Sequence, residues 1–229
     1  MRKGTISLVI ICLIVLGVCT LPSTPFTPEA SRTGALAIGT KVESTGTEAS
    51  PPGNILLVNA NHPLPEESSP DLVNLYDQKG RAFQLSASDI SVDRQVFEAM
   101  NRMFTEAKRN GIKGFIVTSG YRTREEQQKI YDESPAGIAA LPGTSEHETG
   151  LAFDVTCRRD DGGEFEKTAQ FRWLSEHCWD FGFILRYPKG KIDITGIEYE
   201  PWHYRYVGVG AAQEMRDSGQ TLEEYLGVN

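Results

Sequence analysis

A chain of 229 residues, 39% of them hydrophobic, is long enough to bury one good core once its N-terminal segment is set aside. A net charge of −8 with no concentrated basic run argues against a nucleic-acid-binding surface, and it leaves the substrate open.

At the N-terminus, Arg2 and Lys3 precede a mainly apolar run from Ile6 to Leu21, the pattern of a secretory signal or signal anchor. Its 16 residues fall short of the roughly 20 typical of a membrane span. No clean Ala-x-Ala cleavage site follows, and the sequence before Cys19 lacks the small residue of a lipoprotein site. An uncleaved anchor over residues 1–21, with its basic end inside, is therefore expected; cleavage would instead release a secreted protein. Residues 22–53, rich in Ser, Thr, Pro, Gly and Ala, read as a flexible spacer or a tail without positional role. One monomeric domain is expected over residues 54–229.

Within that domain, His62 before Pro63 reads as a loop residue. Val96, Met100, Phe104 and Ala107 recur at helical spacing, and Asn110-Gly111 ends the helix. Phe115–Thr118 reads as a buried strand, and Ser119-Gly-Tyr-Arg122 leads into a polar helix through about Tyr131. Leu151–Val155 reads as a short strand with Leu151, Phe153 and Val155 on one face, Ala152 and Asp154 on the other. A further helix places Phe171, Leu174, Cys178 and Phe181 on one stripe, carries His177 as a structural or solvated residue, and ends at Gly182. Phe183–Arg186 reads as a strand, and Thr221-Leu-Glu-Glu224 carries a capping box for a last short helix. The alternation predicts a compact α+β unit. Cys12 and Cys19 fall in the leader; Cys157 and Cys178 are left in the domain, as a bridge or as buried thiols.

Two segments carry chemistry: Ser145-Glu-His-Glu-Thr-Gly-Leu-Ala-Phe-Asp-Val155 and Glu200-Pro-Trp-His203. A catalytic zinc ion is usually held by three protein ligands, with a fourth position for water. His147, Asp154 and His203 fill three such positions. Attack by water needs a base, and Glu200 is spaced for that work. In extended chain, residues three apart point to opposite faces, so Glu200 and His203 converge only if the backbone bends; Pro201 favours that bend. Arg122, at a strand-to-helix junction, can reach a cleft and stabilise an oxyanion. The alternative for Arg122 is a surface ion pair with Glu125 or Glu126.

Ser-x-His-x-x-Gly-x-Ala-x-Asp followed by Glu-x-Trp-His resembles the signature of the LAS metallopeptidases, named for lysostaphin, D-Ala-D-Ala peptidase and Sonic hedgehog. Within that group the chain is most similar to the VanY-type D-alanyl-D-alanine carboxypeptidases. The resemblance extends to Ile55–Pro65, Ser119-Gly-Tyr-Arg-Thr123 with Gln127, Gly182–Pro188 and Thr221–Leu226, covering roughly residues 54–229. It implies a small antiparallel sheet flanked by helices. It implies one Zn2+ on His147, Asp154 and His203, Glu200 as catalytic base, Arg122 polarising the scissile carbonyl, and Gln127 and Ser145 lining the substrate pocket. The implied partners are peptidoglycan stem peptides ending in D-Ala-D-Ala; related enzymes cut an L,D bond or free D-Ala-D-Ala instead. Two other classes share the ligand inventory. A 2-His-1-carboxylate oxygenase normally carries a tight His-x-Asp spacing that is absent here. A zinc-stabilised binding module would need neither Glu200 nor Arg122.

Overall fold

The computed structural model describes residues 55–135, 139–158 and 164–228, all within the compact unit Thr45–Asn229. The expected leader (1–21), the spacer (22–53) and the end positions 54 and 229 of the expected domain lie outside the described residues. Among the described residues no helix is long and apolar enough to cross a membrane.

Short strands Leu72–Asn74 (β1), Gln84–Leu85 (β2) and Ser91–Asp93 (β3) precede helix Arg94–Arg109 (α1). Phe115–Ser119 (β4), Arg124–Glu133 (α2), a 3-10 turn at Glu146–Thr149 and Ala152–Cys157 (β5) follow. Ala169–His177 (α3), Phe183–Leu185 (β6), Ile192–Thr195 (α4), His203–Tyr206 (β7), Val209–Ser218 (α5) and Leu222–Leu226 (α6) complete the order. The main sheet runs β2-β4-β5-β7-β6, and β1 pairs with β3 apart from it. The expected small antiparallel sheet is present in β4, β5, β7 and β6, and a parallel pair joins it at one edge, where β2 lies beside β4. A parallel pair requires a crossover, and α1 lies in the connection between the two strands.

Helix α1 is capped by the Asp93 side chain, which accepts from the backbone N–H of Gln95. Its buried face holds the expected stripe together with Ala99 and Met103. Phe104 sits at the centre, with ring centroids 5.2 Å from Phe83, 4.7 Å from Phe115 and 6.1 Å from Phe153. Phe104→Ala should therefore cost about 3–5 kcal/mol. Urea unfolding of the two proteins should show a lower midpoint at an unchanged slope.

The expected helix through Phe181 ends early. α3 stops at His177, and Cys178–Phe181 tightens into a 3-10 turn closed by Gly182 at φ 86°. A Cβ on Gly182 would lie 2.8 Å from the Tyr206 ring, so the close return of the chain onto β7 needs glycine as well. The buried stripe is Trp173, Leu174 and Cys178, with Phe181 packed at its edge. Trp173 was not on the expected stripe. His177 is half exposed and lies against Trp173, its ring centroid 4.7 Å away. Cys157 and Cys178 are both buried and share no disulfide.

Register positions the site. β5 pairs with β7 so that Asp154 lies opposite His203. A bulge between Val117 and Ser119 brings Ser119, rather than Thr118, opposite Asp154 on the other side. Three neighbouring strands thus present Ser119, Asp154 and His203 in one row.

Candidate active site

His147 rides on the 3-10 turn that ends at Gly150, whose φ of 72° turns the chain into β5. A Cβ at Gly150 would stand 3.2 Å from both Leu72 and Pro70. His147 donates from Nδ1 to the carbonyl of Gly120 at 2.7 Å, which leaves Nε2 as a lone pair facing Asp154 Oδ1 at 3.4 Å. His203 approaches the same oxygen with Nδ1 at 3.1 Å. One imidazole therefore offers Nε2 and the other Nδ1. The three ligand atoms lie within 4.8 Å of one another, and the two rings stand at 88°.

Asp154 Oδ1 is buried and accepts no hydrogen bond of normal geometry, although both imidazoles point at it. An orphaned carboxylate oxygen between two imidazole nitrogens is a donor set that fits a divalent cation, and two nitrogens with one oxygen suit zinc. The protonation pattern agrees. Burial works against ionised Asp154, yet His147 and His203 outweigh it and hold the carboxyl well below the usual range. Burial lowers His147, helped by Arg122. Burial also pulls His203 down, but the Asp154 and Glu146 carboxylates on either side of its ring more than offset it, pushing the group up to about 9. A bound cation would displace that proton.

The expected bend between Glu200 and His203 is a turn closed by a hydrogen bond from His203 N–H to the Glu200 carbonyl, 3.2 Å. It brings Glu200 Oε2 to 3.6 Å from His203 Nδ1 with the side chain 26% exposed. Burial, the largest influence, pushes Glu200 up to about 7; Asp154 adds to this, while His203 and Arg122 oppose it. A carboxyl titrating near neutrality, open to solvent on one side, has the properties of a general base.

Arg122 donates from its backbone to the His147 carbonyl at 3.2 Å. Its guanidinium donates to Gln127 Oε1 (3.2 Å), Ser119 Oγ (2.9 Å) and Asp154 Oδ2 (3.5 Å). Neither Glu125 nor Glu126 holds it, and Glu126 is engaged in the capping box of α2 with Thr123. Gln127 is 1% exposed and donates to the Ala140 carbonyl at 2.8 Å. Its side chain thus braces Arg122 from behind. Ser145 is buried at the extended start of the 3-10 turn and makes no side-chain cap there. Beside Arg122 a cavity of about 250 Å³ is lined by Leu64, Pro65, Tyr121, Arg124 and Glu148 among others.

Sequence reasoning missed Glu146, Arg186, Arg205 and Glu223, all fully or nearly fully buried. The available signal was a charged residue within or just after an apolar strand, as at Arg186 after Phe183-Ile-Leu and at Arg205 between two tyrosines. Such residues are seldom buried unless paired.

A family model described as VanY, D-alanyl-D-alanine carboxypeptidase, matches residues 89–209. The chain is 38% identical over 177 residues to a D-alanyl-D-alanine carboxypeptidase of Enterococcus faecium, covering 76% of this chain and 57% of that relative. Among solved structures it is similar to the LdcB LD-carboxypeptidase, with TM-score 0.67 and 38% identity over 78% of this chain and 88% of that one. It is also similar to the vancomycin-resistance D,D-pentapeptidase VanY of a VanB-type cassette, a mutant solved with Zn(II). There the TM-score is 0.62 and the identity 37%, over 75% of this chain and 97% of that one. The conjunction of this architecture, the two-histidine and aspartate cluster and the matches across it has one reading: the chain belongs to the VanY family of D-alanyl-D-alanine carboxypeptidases.

Proposed function

We propose that this chain is a zinc-dependent carboxypeptidase that removes the terminal D-alanine from peptidoglycan stem peptides ending in D-Ala-D-Ala. The observation that carries the reading is the orphaned Asp154 Oδ1 between two imidazole nitrogens, with Arg122 at 3.5 Å from the other oxygen of that carboxylate and Glu200 at 3.6 Å from His203 Nδ1. His147 Nε2, Asp154 and His203 Nδ1 would hold the zinc, which supplies Lewis acidity and makes water a stronger nucleophile at neutral pH. Glu200 takes the proton of the attacking water as the C–O bond forms and the carbonyl carbon becomes tetrahedral, then delivers it to the departing D-alanine nitrogen as the C=O bond re-forms and the C–N bond breaks. Arg122, braced by Ser119 and Gln127, donates to the carbonyl oxygen as charge builds on it. Glu200 and Arg122 speak against a purely structural zinc module.

A second reading, L,D-carboxypeptidase action on a tetrapeptide, is favoured by the likeness to LdcB at the same identity as the enterococcal D,D-enzyme. A D,D-dipeptidase is the third family outcome. The site of action we propose is the extracytoplasmic face of the membrane, with residues 1–21 as anchor and 22–53 as tether. Product analysis on pentapeptide, tetrapeptide and D-Ala-D-Ala separates the three readings. Release of one D-alanine from the pentapeptide alone, lost with a chelator and restored by Zn2+, is the expected result. Turnover that survives removal of the metal would overturn the mechanism.

A further inference from the structure

Glu146 stands one residue before a proposed ligand, yet its carboxylate turns away from the centre of the cluster. Its two oxygens divide their partners. Oε1 accepts from Arg186 Nε at 2.6 Å and from Arg205 Nη1 at 2.7 Å. Oε2 lies 3.4 Å from His203 Nε2, the ring nitrogen opposite the one that faces Asp154. Arg186 then uses its two remaining nitrogens on Glu223 of α6, at 2.8 and 2.5 Å. Asn59 donates to the same Glu223 at 3.2 Å, and Arg205 is fixed by the carbonyls of Leu56 and Tyr206. Side-chain exposure is 0% for Glu146, Arg186 and Arg205 and 3% for Glu223.

Two carboxylates and two guanidiniums balance in charge, but burying four ions is a poor way to gain stability. Well-packed apolar residues of similar volume often do as well or better. The arrangement is accounted for by what it does to His203. An imidazole that donates Nε2–H to a fixed carboxylate must present Nδ1 as a lone pair, and ring rotation is then resisted at both ends. The line Glu223, Arg186, Glu146, His203 joins the last helix to the cluster without any of its first three members touching the reacting atoms.

The geometry points to Glu146 as a positioning residue that holds His203 in its metal-ready tautomer, with Glu223 setting Glu146 through Arg186. The inference rests on zinc at His147, Asp154 and His203, but not on which peptide is cut. A wild-type chain that binds zinc without cleaving any stem peptide would sink the proposed activity and leave this inference intact.

The test measures zinc affinity of the full chain by chelator competition, alongside kcat, KM and thermal unfolding of the metal-free protein. Glu146→Gln should bind zinc about 10–100-fold more weakly, the range found when the partners of metal ligands are altered. Glu223→Gln should weaken zinc in the same direction, about tenfold, and lower kcat with KM unchanged. Glu224→Gln is the control, since Glu224 tethers the same helix through Lys191 at 2.9 Å but makes no contact with the line. It should leave zinc affinity and the visible spectrum of the Co2+-substituted protein as in wild type, whereas Glu223→Gln should alter both. Wild-type zinc affinity in folded Glu146→Gln overturns the inference, as does equal weakening by Glu224→Gln and Glu223→Gln. Should the buried variants fail to fold, 15N NMR of the histidine rings in unmodified zinc-loaded chain decides. A proton on His203 Nε2 is expected, and zinc on that nitrogen instead refutes the assignment.

Discussion

Glu200→Ala should bring turnover of a D-Ala-D-Ala-ending pentapeptide down by about 10²–10⁴-fold, the usual contribution of a general base, while zinc still binds stoichiometrically. Glu200 contributes no ligand to the three-residue cluster, so the loss should fall on kcat and leave the metal in place. Near-normal activity in this variant would remove Glu200 from the mechanism. The pH dependence has a definite sign. A base works only when ionised, and burial raises the Glu200 pKa to about 7 in the metal-free site. Activity must therefore fall as pH drops through the Glu200 pKa. A nearby cation stabilises the carboxylate, so the acid limb of kcat/KM should lie at or below about 7 and move upward if that cation is weakly held. A profile flat from pH 8 to pH 5 would contradict the assignment.

Arg122→Ala should cost about 10²–10³-fold in kcat, comparable to loss of one oxyanion donor, with a smaller change in KM. The reason lies in how the guanidinium is held. Ser119 Oγ, Gln127 Oε1 and Asp154 Oδ2 fix it from three sides, so little reorganisation remains at the moment of reaction. Arg122→Lys keeps the charge and loses the fork, and partial recovery is expected. Gln127→Ala should reproduce a milder form of the defect. An effect confined to KM would make Arg122 a ground-state anchor instead.

Much of the site could be read from the sequence because its signals are local. His147 and Asp154 share one short turn-and-strand segment, and Glu200 with His203 occupies a single turn around Pro201. Helix α1 and the capping box of α6 were legible for the same reason. What escaped is long-range. Glu146 meets Arg186 and Arg205 across 40 and 59 residues, and Arg186 meets Glu223 across 37. No period or motif links such positions; only the sheet does. Which nitrogen each histidine offers is likewise fixed by the Gly120 carbonyl and by Glu146. The early end of α3 depended on the return of Gly182 to within touching distance of Tyr206. The parallel edge of the sheet rests on a strand of two residues, too short to leave a pattern.

The strand order has a consequence for how the enzyme comes into being. β7 is the last strand in the chain, yet it lies between β5 and β6. Until it arrives, β6 has no neighbour in the sheet among the described residues, and the cluster lacks both His203 and the turn bearing Glu200. Closing the sheet and arming the catalyst are one event. A chain that has not yet brought β7 into the sheet therefore lacks the complete ligand set, and a cation held by all three residues would favour the closed sheet over any partly assembled state, a latch on assembly as well as a part of the finished site.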